Sequence, residues 1–220
     1  MILTPKLIDR YIDFYKFTDT LNFTEKNNCQ VEPNAFINCR DKQIRSLHLQ
    51  WTKNNELIKK LPDQIRFNKK HLSLFEPLGE NLENLDLSFN IFECQFNFLK
   101  DLKHLRKLDL SFSNFKVGKP IFNAANNQLT HLDLSNCDLE IKDKTIFNDL
   151  KCLTYLDLSK IALKNVLPDL FKELNQLETL KMMGTSLPMS QNAFIHLEIL
   201  KSCVLLALRY QTTAQTFWHR

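Results

Sequence analysis

Leu82-Glu-Asn-Leu85-Asp-Leu87-Ser-Phe-Asn90-Ile-Phe92 decides the fold, because the chain repeats it. It returns as Leu105-Arg-Lys-Leu108-Asp-Leu110-Ser-Phe-Ser113-Asn-Phe115, then as Leu129…Leu132-Asp-Leu134…Cys137…Leu139. Two further copies are Leu153…Leu156-Asp-Leu158…Ile161…Leu163 and Leu177…Leu180-Lys-Met182…Thr185…Leu187. The leading leucines stand 23, 24, 24 and 24 residues apart. The intervening halves also agree, as Phe147-x-x-Leu150-x-x-Leu153, Phe171-x-x-Leu174-x-x-Leu177 and Phe194-x-x-Leu197-x-x-Leu200.

A unit reading LxxLxLxxNxL with a period of about 20–29 residues is the leucine-rich-repeat signature. In its LxL core, alternate side chains face opposite sides of a short strand, so one set is buried and the other points outward. A single unit cannot enclose its own leucines. Stacked units can, and burial of each Leu or Phe, worth roughly 1.5–3 kcal/mol, then offsets the ordering entropy. The expected architecture is an α/β solenoid with a curved parallel sheet on the concave face and short helices and loops on the convex face.

Working outward, Ile44-x-x-Leu47-x-Leu49 reads as a first strand, and Leu72 and Leu74 are candidates for a further coil before Leu82. Leu200-x-x-Cys203-x-Leu205 continues the register for one strand, after which LRYQTTAQTFWHR carries no repeat. The organisation is therefore an N-terminal segment (1–28), a cysteine-containing cap (29–43), repeats (44–208) and an off-pattern tail (209–220). Within the first segment, Leu7, Ile8, Tyr11, Ile12 and Tyr15 suit a short amphipathic helix, which either covers the cap or lies free.

Composition narrows the function. Three glycines leave no phosphate-cradling loop, and a net charge of +4 without a Lys/Arg run gives no nucleic-acid signature. The longest apolar run, Val204 to Leu208, is far below the ~18 residues that span a bilayer. Lys6, Asp9, Arg10, Asp13 and Lys16 interrupt any secretory h-region at the N-terminus. Six dispersed histidines form no triad with a nucleophile, and no Cys or His pair has zinc-ligand spacing. No enzyme activity, metal or cofactor is expected.

The segment CQVEPNAFINC, the strands LENLDLSFN and LTHLDLSNCDL, and the Phe-x-x-Leu returns resemble extracellular leucine-rich-repeat proteins. Within these they are similar to Toll-like receptor ectodomains, particularly the N-terminal portion. The resemblance spans roughly Cys29 to Leu200. It implies a non-catalytic innate-immune recognition surface for a protein or microbial ligand, homo- or heterodimerisation, and an extracellular or cell-surface location. It also implies a Cys29–Cys39 disulfide shielding the end of the stack; the residues alone leave open two reduced core cysteines. The sequon Asn22-Phe23-Thr24 is a candidate glycosylation site. The rival reading is an intracellular adaptor or enzyme regulator with reduced cysteines.

Outward strand positions supply the candidate ligand contacts. Asp86, Asp109, Asp133 and Asp157, followed by Lys181, form one column with a spacing of about 4.8 Å. Either they make a groove for cations, or they are the solvated architecture of the LDLS repeat. Lys107, His131 and Tyr155 form the neighbouring column. Phe89 and Phe112 both follow the strand serine, and either mark an interface or pack under a loop. Asn90, Ser113, Cys137, Ile161 and Thr185 share the turn-bonding place, where Ile161 cannot hydrogen-bond; weaker turn bonding is expected over 159–166. Cys94, Cys137 and Cys203 fall on structural positions, and Cys152 is expected to be exposed.

Overall fold

In the computed structural model the strands are β1 (Ile2–Leu3), β2 (Thr20–Asn22), β3 (Gln30–Val31), β4 (Ser46–His48) and β5 (Arg66–Phe67). There follow β6 (Asn84–Asp86), β7 (Ile91–Phe92), β8 (Lys107–Asp109), β9 (Asn114–Phe115) and β10 (His131–Asp133). The last three are β11 (Tyr155–Asp157), β12 (Thr179–Lys181) and β13 (Ser202–Val204). One helix, α1 (Pro5–Phe14), lies between β1 and β2. The residues described are 2–15, 18–23, 30–49, 65–71, 73–93, 97–115, 122, 126–138, 141, 143–161, 169–185, 197 and 202–204. Cys29, Leu72, Cys94 and the tail 209–220 lie outside them.

Among the described residues, eight strands form one parallel sheet in the order β13-β12-β11-β10-β8-β6-β4-β2. The register is set by the repeat leucines, with Leu21, Leu47, Leu85, Leu108, Leu132, Leu156, Leu180 and Cys203 side by side. Leu21, Leu47, Leu132, Leu156 and Leu180 have no solvent exposure, so the inward face is dry. A parallel sheet needs a crossover between successive strands, and the described parts of the coils supply it through turns and short 3-10 segments. This is the leucine-rich-repeat solenoid that the periodicity demands.

Two features depart from the sequence reading. First, β4 pairs directly with β6, matching Leu47 to Leu85. The expected extra coil around Leu72 and Leu74 therefore adds no strand to the main sheet. Leu74 is buried in the return arc instead, two residues before the 3-10 turn Glu76–Leu78. Second, the sheet begins before Ile44, because β2 pairs with β4. The segment 29–43 thus lies within a coil rather than at the end of the stack. Phe36 stacks on Phe75 with centroids 6.2 Å apart, and Cys39 is fully buried three residues later. Phe36-x-x-Cys39 is a Phe-x-x-Leu return with a cysteine in the leucine's place.

The helix α1 has clear local causes. Thr4 caps it, its Oγ1 accepting from the Leu7 N–H (3.2 Å), and Pro5 occupies the first turn, where its missing N–H costs nothing. Ile8 is buried, Leu7, Tyr11 and Ile12 pack against the core, and Asp9 accepts from Asn38 Nδ2 at 2.8 Å.

Phenylalanine is abundant because the coils stack it. Phe67, Phe92 and Phe115 sit on β5, β7 and β9, a second parallel sheet, with successive centroids 5.1 Å apart. Phe147 and Phe171 repeat the arrangement in the return arc at 6.3 Å. Offset ring stacking at these distances adds to the area each ring buries.

Candidate functional site

Four of the main strands, β6, β8, β10 and β11, end in the same turn. The aspartate Oδ1 accepts the N–H of the serine two residues on: Ser88 to Asp86 (3.0 Å), Ser111 to Asp109 (2.8 Å), Ser135 to Asp133 (2.8 Å) and Ser159 to Asp157 (2.9 Å). These are Asx turns, so the carboxylate column is partly architecture. In five of the described coils the next residue turns left-handed, with φ of 61° at Phe89, 55° at Phe112, 56° at Asn136, 59° at Lys160 and 66° at Gly184. Gly and Asn adopt this conformation readily, whereas Phe at such φ is uncommon and strained.

That turn is held by the neighbouring coil. Phe89 N–H donates to Ser111 O (2.9 Å), and the same bond recurs from Phe112, Asn136 and Lys160. The following residue closes it from inside. Asn90 Nδ2 donates to Leu49 O (3.1 Å) and Leu87 O (2.9 Å); Ser113 Oγ donates to Leu87 O, Cys137 Sγ to Leu110 O and Thr185 Oγ1 to Met182 O. Ile161, 1% exposed, offers only apolar packing in this series.

Phe89 and Phe112 stack with centroids 4.5 Å apart and planes 3° from parallel. Phe112 remains 40% exposed and Phe89 half-buried, so this pair is not hidden under a loop. Asp109, and the other strand aspartates in register, lie between that edge and the column Lys107–His131–Tyr155. His131 stacks on Tyr155 at 5.7 Å. Together Ser46, His48, Asp86, Lys107, Asp109, His131, Asp133 and Tyr155 help to line an open groove of about 480 Å³. The structure thus brings the Lys107, Asp109, His131, Asp133 and Tyr155 candidates into one cavity.

The groove is electrostatically tuned. Burial pushes the Asp109 carboxyl up to about 6, helped by Asp86 and Asp133 and opposed by its hydrogen bonds from Ser111. Burial likewise raises Asp133. Burial, then the charge of Lys107, lowers His131. At the two ends the carboxylates have partners: His48 Nδ1 lies 3.6 Å from Asp86 Oδ2, and Lys181 Nζ 4.0 Å from Asp157 Oδ2.

Asn22 is exposed on β2, facing the same side as His48 in the register, while Thr24 of its sequon lies outside the described residues. Cys29 also lies outside them, while Cys39 is buried as a free thiol. Burial pushes the Cys39 thiol up to about 11 and the Cys137 thiol up to about 12, while Cys152 is exposed. Sequence reasoning missed the left-handed row. The signal available was positional, since Gly184 and Asn136 share one column with the two phenylalanines.

The pattern described as Leucine rich repeat matches residues 127–187. Toll-like receptor 4 of Equus caballus is 34% identical over 155 residues, covering 68% of this chain and 17% of that protein. CD180 antigen of Mus musculus is 35% identical over 131 residues (56% and 20%), and receptor-like protein 54 of Arabidopsis thaliana is 34% identical over 107 (47% and 13%). The chain thus spans a fifth or less of the length of these relatives. Among solved structures, TLR13 in complex with ssRNA13 superimposes with a TM-score of 0.60 at 22% identity, covering 81% of this chain and 24% of that one. The mouse RP105/MD-1 complex gives 0.52 at 20% identity, covering 84% and 33%. The chain is a leucine-rich-repeat solenoid, similar in sequence to Toll-like receptors and CD180 and to their ectodomains in fold.

Proposed function

We propose that this chain is a non-catalytic recognition module that docks a protein or microbial ligand on the groove face of its main sheet, at the cell surface or outside the cell. The observation that carries the reading is the Phe89–Phe112 stack. Two large rings occupy left-handed turns that disfavour them, and one face stays in water beside the groove. Strain and apolar exposure at one place are both costs, and the exposure is recovered when a partner covers the rings. Lys107, Asp109, His131, Asp133 and Tyr155 are the polar contacts of the same surface.

The similar solenoids support binding as the activity, since TLR13 is seen with ssRNA13 and RP105 with MD-1. For this chain the groove favours a protein over a nucleic acid, because its floor carries a row of carboxylates that repels phosphates. A Cys29–Cys39 disulfide and glycosylation at Asn22 belong to the same extracellular reading. The test is Phe89→Ser with Phe112→Ser, assayed against binding partners captured on the intact chain. Loss of binding by tenfold or more, with the thermal midpoint retained, supports the reading. Unchanged affinity overturns it.

A further inference from the structure

Phe89 and Phe112 begin a stack that the next coil does not continue. Their rings lie 4.5 Å apart and 3° from parallel, close to the ~4.8 Å that separates adjacent strands. The stack therefore runs along the sheet, one ring to a strand. The third position in the series is Asn136, which has the same left-handed backbone, with φ of 56° against 61° and 55°. Its N–H donates to Ser159 O at 2.8 Å, as the Phe112 N–H donates to Ser135 O at 2.8 Å. Backbone and spacing carry on into the third coil, and only the ring is absent.

One face of the Phe112 ring is covered by Phe89. The other turns towards Asn136, whose short carboxamide is half-buried, and Phe112 stays 40% exposed. A flat face held at fixed spacing and tilt suits another flat ring, since offset ring pairs are favoured with centroids about 4.5–7 Å apart. An aliphatic side chain covers the same area without that gain. A nucleobase is flat too, but it brings a phosphate. The Asp86 and Asp109 carboxylates, each three residues before one of the phenylalanines, repel that charge. What suits the place is an uncharged ring carried by a protein.

We propose that the bare face of Phe112, on the Asn136 side, receives an aromatic side chain of a protein partner (Phe, Tyr or Trp), which becomes the third ring of the stack. This rests on the recognition reading above and names the chemistry recognised. Phe89 backs Phe112 and fixes its plane, while Asn136 is the small residue that leaves the place open. Aromatic anchors are the side chains that dominate protein interfaces when a pocket or platform is ready for them. Here the platform is prepared by two residues held against their backbone preference.

The experiment titrates the blocked peptide Gly-Trp-Gly into the full chain carrying ring-labelled phenylalanine, with blocked Gly-Leu-Gly and adenosine monophosphate as comparisons. The readout is the initial slope of the Phe112 ring shift in NMR, the signal being identified by its loss in Phe112→Leu. The Trp peptide should give a slope at least threefold steeper than the Leu peptide, and the nucleotide a slope no steeper than the Leu peptide. Asn136→Phe, which places the third ring within the chain, should flatten the Trp slope by threefold or more. Asn127→Phe, at an exposed position on the return arc, should leave it unchanged. Thermal midpoints establish that the variants fold; His also enters left-handed turns readily, so Asn136→His stands in if Asn136→Phe unfolds. Equal slopes for the Trp and Leu peptides, a nucleotide slope matching that of the Trp peptide, or an undiminished slope in the Asn136 variant overturns the proposal. If Phe89→Ser/Phe112→Ser abolishes capture of a partner while the Asn136 variant leaves it intact, the recognition reading stands and this one falls.

Discussion

Asp109 serves two opposed ends. Its Oδ1 closes a turn by accepting the Ser111 N–H at 2.8 Å, and its burial among Asp86 and Asp133 pushes its carboxyl up to about 6. A carboxyl raised in the folded state contributes stability that is full below its unfolded value of 3.8 and is lost as pH rises through about 6. Asp109→Asn keeps the acceptor and removes the charge. Its thermal midpoint relative to the parent should therefore climb between pH 4.5 and 7.5, by roughly 4–8 °C for a change of about 2 kcal/mol. A difference that stays flat across that window would contradict the assignment. The turn role of this aspartate was legible in the spacing Asp-x-Ser of LDLS. Its desolvation was not, because the number of like charges beside it depends on strand register.

Among the described turns of this kind, the one after β11 has no polar side chain at the closing position. Asn90, Ser113, Cys137 and Thr185 each donate to a leucine or methionine carbonyl, and Ile161 replaces this with apolar burial. Amide exchange at 159–161 should be faster than at the equivalent 111–113, by about tenfold if one net hydrogen bond of ~1–1.5 kcal/mol is missing. Equal protection would show that the isoleucine packs well enough to compensate. The positions of β6, β8, β10, β11, β12 and β13 were readable from LxxLxL alone. β2 was not, since Thr20-Leu21-Asn22-Phe23 lacks a preceding Leu-x-x-Leu frame. The long interval from Leu47 to Leu85 invited an extra strand in the main sheet, which the β4–β6 pairing excludes.

For the whole molecule, the compartment follows from the state of its six cysteines. The Cys29–Cys39 disulfide of the extracellular reading leaves four thiols. Denatured protein purified without reductant should therefore titrate as four thiols, rising to six after reduction; six from the outset would favour the intracellular adaptor. Native protein should show Cys152 reacting first, since Cys137 is buried with its thiol pushed up to about 12. The solenoid itself was plain in the sequence because every coil repeats one solution to burying leucine. The binding surface was only half plain, since outward residues obey no such constraint and acquire neighbours through stacking.

The left-handed turn that recurs at Phe89, Phe112, Asn136, Lys160 and Gly184 has a geometric corollary. One backbone angle repeated at these five rungs makes that edge a graduated scale with a tick about every 4.8 Å, the interval between adjacent strands. The two rings already keep that step, at 4.5 Å. Replacing the side chain at any tick changes what is displayed without changing where it stands, so this rim can be rewritten residue by residue while the spacing stays constant.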